Sequence, residues 1–435
     1  MNQQEIEQYL IDFQKKELPE VIERELKIAE TKKIKVIIGP RRAGKTFFLF
    51  QLMKHFIKKG FKKEDIIYLN FESTKLFDIN FKEIKDIIEL HKKLFSESKN
   101  PYLFLDEPQN VKNWENAVRE LYDEGYNLFI TGSSSKLLSK EISTSLRGRS
   151  LSYLLLPFSF KEFIKFKKIE LRGLLSSVEK TKIRSLLDEY LEFGGFPEIV
   201  FEENKDIKIK IAESYFDLTV YKDLVERYKI KDSLLMKWFI KSIASSYSKE
   251  LSINKIYLTL KSQGRRVSKD ELYSYYSMIS DSIFAFYHQK FSKSVRKKEP
   301  LSKVYLCDNI FVKIIETDKF KGRKMENAVF LDLIRENQLS DKIFFWKNVQ
   351  QEEVDFVIKE NQSISQLIQV CYSLEDIETK QREIRALLNA SKELKCKNLL
   401  VITENFEGDE PAEWFGLKEK IKFIPLWKWL LRESQ

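Results

Sequence analysis

The chain has 435 residues, 43% of them hydrophobic and 13% aromatic, too long for one ordinary domain and apolar enough for roughly two to four cores. Its 76 basic residues outnumber 66 acidic ones, for a formal charge of +10; this leans toward a polyanionic partner and equally suits a solvated Lys/Glu-rich surface. Three cysteines far apart (Cys307, Cys371 and Cys396), no CxxC pair and three histidines argue against a zinc site or a disulfide framework.

The first twenty residues, MNQQEIEQYLIDFQKKELPE, are too polar for a signal peptide, and no apolar run approaches the roughly 18 residues of a membrane span. The expectation is a cytoplasmic protein with no membrane partner. KVIIG (35–39) predicts a buried strand that stops at glycine, and TFFLFQLMKHFIKK (46–59) a helix. DIIYLNFE (65–72), NPYLFLDEPQ (100–109) and NLFITGSSS (127–135) predict further strands, with a helix around 81–96 between the first two. Strands alternating with helices imply a parallel sheet with crossover helices. After LLLPFSFKEF (154–163) the pattern is helical to about 246, then basic over 253–303. From about 311 it is mixed: a helix (324–337), strands (342–347, 353–358, 366–372), a helix (375–393), a strand (397–403) and a closing stretch.

GPRRAGKT (39–46) fits G-x-x-x-x-G-K-[ST] between a strand and a helix, where a phosphate-binding loop must lie. Gly39 and Gly44 let backbone N–H groups surround a β-phosphate, and the helix N-terminus adds positive partial charge. The expected ATP-binding residues are Gly39, Pro40, Arg41, Arg42, Ala43, Gly44, Lys45, Thr46 and Phe47. Lys45 would reach the β- and γ-phosphates, and Thr46 would coordinate Mg²⁺. YLFLDEPQ ends a strand in Asp106, to hold Mg²⁺ through water, and Glu107, to orient or deprotonate the attacking water. Ser133 either hydrogen-bonds the γ-phosphate or water, or belongs to the N-cap of KLLSKEI. Arg147 and Arg149 in SLRGRS either pair on the surface or serve a neighbouring subunit's ATP as an arginine finger.

GPRRAGKT, YLNFES, YLFLDEPQNVKNWE, ITGSSSKLL, LRGRS and LLLPFSFKEF, in this order, resemble the AAA-type ATPases of archaea and bacteria. In that group the ATPase core is followed by a winged helix and a restriction-endonuclease-like domain of unknown function. The resemblance covers about residues 20 to 200, with smaller echoes beyond. It implies an α/β fold: a P-loop AAA-type core (parallel sheet with helices on both faces) over 1–160, a helical lid over 161–246, a winged helix-turn-helix over 247–310, and a C-terminal α/β restriction-endonuclease-like domain over 311–435. YLEFGGFPEIV (190–200) matches a Gly-Gly-x-Pro element of the group, which implies a lid near the nucleotide with Gly194 and Gly195 as hinge or close-approach site; as local chemistry it is a helix C-cap and turn.

Residues 252–308 predict helix, turn, helix and β-hairpin, with Ser268 as N-cap of the second helix and Glu271 at its capping-box position. That is the pattern of a winged helix. Arg265, Arg266 and Lys269 would lie by the recognition helix; Arg296, Lys297 and Lys298 would lie at the wing tip, with Lys303 closing the basic stretch. These are phosphate-type contacts, so DNA binding with weak sequence choice is expected, against the alternative of a winged helix used for protein packing.

In the last domain, Glu326 on a helix and Asp355 on a strand match the order of the PD-(D/E)-x-K nuclease site. Gln369 stands where a second acid belongs and Cys371 where lysine belongs. A neutral amide is a poorer Mg²⁺ ligand and a thiol cannot replace an ammonium, so the domain reads as catalytically inactive unless lysine has migrated, for example to Lys347 or Lys359. The combined expectation is a Mg²⁺-dependent ATPase that forms a homo-oligomer, possibly a ring, and remodels, translocates or gates DNA. The alternatives are a STAND-type nucleotide-gated switch with protein partners and an ATP-regulated nuclease.

Overall fold

The structure, a computed structural model, describes residues 3–76, 79–95, 101–133, 146, 148–170, 173, 175–292, 302–315, 320–338 and 342–432. The chain divides into two units, residues 1–156 and 157–435.

In the first unit, the apolar runs expected to be strands are buried on both faces, which only a sheet covered on both sides allows. They are β1 (Ile34–Ile38), β2 (Ile66–Asn70), β3 (Tyr102–Asp106) and β4 (Asn127–Gly132); β5 (Ser150–Leu154), which the sequence did not announce and which is half-buried along most of its length, joins them. All pair in parallel, in the order β2-β3-β4-β1-β5. The helices are α1 (Gln3–Lys15), α2 (Lys45–Lys58), α3 (Phe81–Leu94) and α4 (Trp114–Asp123). Phe48, Leu49 and Met53 of α2 pack on Ile37, Phe104 and Phe129 of the sheet. Asn80 starts α3 with a capping box: its Oδ1 accepts from the Glu83 N–H (3.3 Å) and its own N–H donates to Glu83 Oε2 (2.7 Å). The parallel register sets Ile38 beside Gly132 and Asn70 beside Asp106, so the ends of β1, β3 and β4 share one edge. Ligands bind at that edge in such sheets.

The second unit opens with α5 (Phe160–Phe166), α6 (Ser177–Phe193), α7 (Pro197–Phe201), α8 (Lys205–Leu218), a π-helical stretch (Thr219–Glu226) and α9 (Ser233–Ser245). The glycine pair after α6 is both C-cap and close approach. Gly194 has φ 72°, and a Cβ there would fall 1.5 Å from Asp308 Oδ1; at Gly195 it would fall 2.3 Å from the Phe158 carbonyl oxygen. Then come β6 (Glu250–Leu251), α10 (Ile253–Ser262), α11 (Lys269–Asp281), β7 (Ala285–Gln289) and β8 (Ser302–Leu306), the three strands antiparallel in the order β6-β8-β7.

After α12 (Ile310–Ile315) and α13 (Lys321–Asn337) follows a six-stranded mixed sheet. It contains β9 (Ile343–Lys347), β10 (Glu353–Glu360), β11 (Ser363–Cys371), β12 (Leu399–Thr403), β13 (Gly408–Trp414) and β14 (Leu417–Pro425), ordered β13-β14-β12-β11-β10-β9. Leu387, Leu388 and Leu394 of α14 (Ile377–Leu394) cover it, and α15 (Leu426–Leu430) closes it. The closing stretch thus holds a hairpin, β13–β14, that hydropathy did not announce: its residues alternate mostly between exposed and half-buried, with few fully buried. Among the described residues no helix is long and apolar enough to cross a membrane.

Candidate functional site

At the shared edge of the first sheet, the loop from β1 to α2 closes tightly. A Cβ on Gly39 would lie 2.0 Å from the Leu155 carbonyl oxygen, so only glycine fits beside β5. Arg42 and Gly44 take positive φ (65° and 93°), which turns the loop into the first turn of α2. Lys45 is buried; its Nζ donates to the carbonyls of Gly39 and Pro40 (3.2 Å each) and pairs with Glu107 Oε1 at 3.4 Å. Arg24, buried in the segment before β1, donates to the Ala43 carbonyl (2.9 Å) and the Leu156 carbonyl (2.5 Å), bracing the loop from outside.

Asp106 sits at the end of β3 inside a cradle of hydroxyls. Thr46 Oγ1 (2.8 Å) and the Tyr68 hydroxyl (2.9 Å) donate to its Oδ2, and Thr131 Oγ1 donates to Oδ1. Burial raises its pKa above the ordinary carboxylate value, and the three hydroxyls work against that rise. Glu107, next in the chain, takes the left-handed conformation (φ 55°), and its N–H donates to Thr131 Oγ1 (3.1 Å). Its Oε2 accepts from the Ser133 N–H (3.1 Å) and from Gln109 Nε2. Burial pushes its pKa up, but Lys45, Gln109 and Arg41 outweigh it and hold the carboxyl below the ordinary range, ionised. Ser133 Oγ is buried with no hydrogen-bond partner among the described residues.

Thr46 and Asp106 fit a hard divalent cation: hydroxyl and carboxylate oxygens meet at 2.8 Å, and Mg²⁺ needs only one or two protein ligands beside phosphate and water. The structure thus brings together Gly39, Gly44, Lys45, Thr46, Asp106, Glu107 and Ser133. Phe47 is 54% exposed on α2, and Arg41 pairs with Glu72 at 3.5 Å at the rim. Tyr68, Thr131, Gln109 and Arg24 were missed by the sequence reading, because nothing local marks a strand tyrosine or a distant arginine as a partner of this loop.

Arg149 lies elsewhere. It directly precedes β5, its carbonyl accepts from the Ile34 N–H at the start of β1, and its guanidinium pairs with Asp123 (3.0 Å). That is the opposite edge of the sheet from Gly39, out of reach of this chain's own phosphate loop. Arg147, like Arg296, Lys297 and Lys298, falls outside the described residues. Arg265, Arg266 and Lys269 are exposed on the turn between α10 and α11 and on the first residue of α11. Ser268 caps α11, accepting from the Glu271 N–H (3.0 Å), while Glu271 Oε1 accepts from the Tyr275 hydroxyl (3.0 Å).

In the second unit Glu326 of α13 and Asp355 of β10 do meet, and a lysine lies between them. It is Lys303 of β8, neither Lys347 nor Lys359. Its Nζ lies 3.0 Å from Glu326 Oε1, 2.9 Å from Asp355 Oδ1 and 2.5 Å from Glu353 Oε1. Read in sequence as part of the exposed basic stretch, Lys303 is 2% exposed, because all five residues of β8 are buried. Lys347 pairs with Glu250 at 2.8 Å and touches the cluster only at its edge, 3.7 Å from Glu353 Oε2. The Tyr305 hydroxyl donates to Glu326 Oε1 (2.6 Å). Burial opposes the charge on Lys303, but Asp355, Glu326 and Glu353 prevail and hold its pKa well above the ordinary value. Burial and the nearby Asp355 push Glu326 up to about 8.

Gln369 has a structural part that an acid could not play. The register of β10 against β9 shifts between Val354 and Val357, a bulge beside Asp355. Gln369 Oε1 accepts from the Asp355 N–H (3.1 Å), and its Nε2 donates to Glu383 (2.5 Å). Cys371 is a buried core thiol that donates to the Ser373 carbonyl (3.2 Å), its pKa pushed by burial up to about 11.

Family models match three stretches of the chain: an AAA domain over 31–164, and domains of unknown function DUF8612 over 184–313 and DUF4143 over 321–429. The uncharacterized protein MJ1544 of Methanocaldococcus jannaschii is 41% identical over 416 residues, covering 94% of this chain and 91% of its own. An uncharacterized protein of Haemophilus influenzae is 30% identical over 358 residues, 80% of this chain and 85% of its own. Among solved structures, Cdc6p from Pyrobaculum aerophilum overlaps 70% of this chain and 88% of its own at 14% identity and a TM-score of 0.26, too loose to bear on function.

Proposed function

This chain belongs to the family of the Methanocaldococcus jannaschii protein MJ1544, with an AAA-type P-loop core, and from that premise we propose that it is a Mg²⁺-dependent ATPase that binds DNA and uses ATP to remodel, translocate or gate it. One observation carries the reading: Lys45, Thr46, Asp106 and Glu107 converge on the mouth of a glycine-built phosphate loop, with Lys45 and Glu107 poised 3.4 Å apart. Thr46 and Asp106 would hold Mg²⁺, which when bound neutralises phosphate charge. Lys45 exchanges Glu107 and its own loop's carbonyls for the β- and γ-phosphates. Glu107, ionised and released from Lys45, accepts the proton of the attacking water. Ser133 Oγ supplies a hydrogen bond at the γ-phosphate.

Support for DNA as partner is the order α9-β6-α10-α11-β7-β8, which is that of a winged helix, with Arg265, Arg266 and Lys269 exposed where its second helix begins. The four-part division at 160, 246 and 310 is part of this proposal, as is a homo-oligomer in which Arg149 or Arg147 serves a neighbour. A STAND-type switch is the second reading, favoured by the Lys45–Glu107 pair, which keeps the loop self-satisfied without nucleotide. The burial of Lys303, Glu326 and Asp355 supports a non-catalytic C-terminal domain.

ATP turnover measured with single-stranded, duplex and branched DNA is the deciding experiment. DNA stimulates the rate, and Lys45→Ala abolishes turnover while salt-sensitive DNA binding persists. Rates unchanged across all DNA forms would refute the DNA-coupled motor and leave the switch.

A further inference from the structure

Two buried carboxylates, Glu326 and Asp355, joined at their margin by the partly exposed Glu353, need a cation, because their mutual repulsion and desolvation are otherwise uncompensated. In nuclease-like sites that cation is a metal. We infer that here it is Lys303: its ammonium takes the place of a divalent ion among Glu326, Glu353 and Asp355, closing the pocket to metal and making it the strut that joins the three-stranded sheet to the six-stranded one.

The geometry is that of an occupied site. The ammonium is within 3.0 Å of one oxygen from each of three carboxylates. The oxygens that face Lys303 are already committed. Asp355 Oδ1 takes Lys303 and Oδ2 accepts from the Val370 N–H (3.0 Å); Glu326 Oε1 takes both Lys303 and the Tyr305 hydroxyl. Aromatic side chains surround the ammonium on the side of β8. Tyr305 stacks on Phe330 at 4.0 Å, the Phe345 ring lies 5.8 Å from the ammonium, and His288 packs against Tyr305, Phe330, Phe345 and Phe356. The remaining positions of a nuclease site do not fit a metal either: Gln369 is spent on the Asp355 N–H and Glu383, and Cys371 on the Ser373 carbonyl. Among the described residues no group of three or more His, Cys, Asp and Glu could hold a metal ion.

The strut also crosses a boundary visible in sequence. Lys303 belongs to the stretch matched by DUF8612, and Glu326, Glu353 and Asp355 to the stretch matched by DUF4143. The buried ammonium of one stretch is therefore paired with carboxylates of the other. This holds whatever the ATP site does.

The test is thermal melting of the nucleotide-free full chain, in EDTA and in excess MnCl₂. The wild-type melting temperature is the same in both. Lys303→Ala melts about 10 °C lower in EDTA, the scale of a broken buried ion pair. MnCl₂ restores most of that loss, and adding Asp355→Asn cancels the restoration. Lys303→Ala melting with the wild type would overturn the inference, and so would an Asp355-dependent rise of the wild type in MnCl₂. If Lys303→Ala does not fold in EDTA, the neutralised variant Lys303→Met/Glu326→Gln/Asp355→Asn decides. It folds and ignores MnCl₂ if Lys303 supplies charge compensation; failure of this variant to fold would reject that role.

Discussion

Asp308 lies between β8 and α12 and spends one carboxylate on two backbone donors, the N–H of Gly195 (2.8 Å) and the N–H of Ile310 (2.9 Å). Burial raises its pKa to about 6, with the two N–H groups and Arg335 working the other way. A carboxyl raised on folding binds its proton more tightly in the native state than in the unfolded one. Its stabilising contribution is therefore complete below its unfolded pKa near 4 and lost as pH rises through about 6. Melting of the second unit should fall across that window, and Asp308→Asn, which cannot ionise, should flatten the profile there while losing one acceptor. A profile for Asp308→Asn as steep as the wild type's would show that another group governs it. The glycine at 194 belongs to the same arrangement, because any Cβ would displace this carboxylate. Gly-Gly was legible as a special turn; that the reason is a buried acid more than a hundred residues away was not.

Among the elements, α10 and α11 were legible because their signals are local: Ser252 and Ser268 as caps, and a Gly264 stop at φ 75°. The cations between them are exposed, as a phosphate-contacting surface requires. Replacing Arg265, Arg266 and Lys269 together with Gln should weaken all DNA alike and reduce the slope of log affinity against log salt by about 2 to 3, close to 0.9 per lost phosphate contact. Fluorescence anisotropy across a salt series measures it; an unchanged slope places the interface elsewhere. Strand β8 shows the opposite case. Its Lys303 reads in sequence as one more wing cation, yet its partners Glu326 and Asp355 lie 23 and 52 residues further on. No periodicity within SKVYL announces that every position is buried.

For the whole molecule, Arg149 at the far edge of the sheet bears on assembly. If it serves a neighbour's ATP, Lys45→Ala and Arg149→Ala, each inactive alone, should regain part of the ATPase rate when mixed, because mixed assemblies contain some intact sites. Mixtures no more active than the separate variants would remove Arg149 from catalysis. The sequence by itself determined the candidate nucleotide site and the class of its fold. Eight residues, GPRRAGKT, encode strand end, loop and helix start, and the acids follow a run of apolar residues whose burial dictates a strand. Such information is short-range, and backbone chemistry expresses it wherever the segment folds. Only the tertiary structure decided what braces that site and what fills the carboxylate pocket. Tyr68 and Thr131 reach Asp106 because parallel pairing brings three strand ends together, and Lys303 reaches Asp355 because two sheets pack. Those contacts depend on which segments become neighbours, and no local pattern in either partner records it.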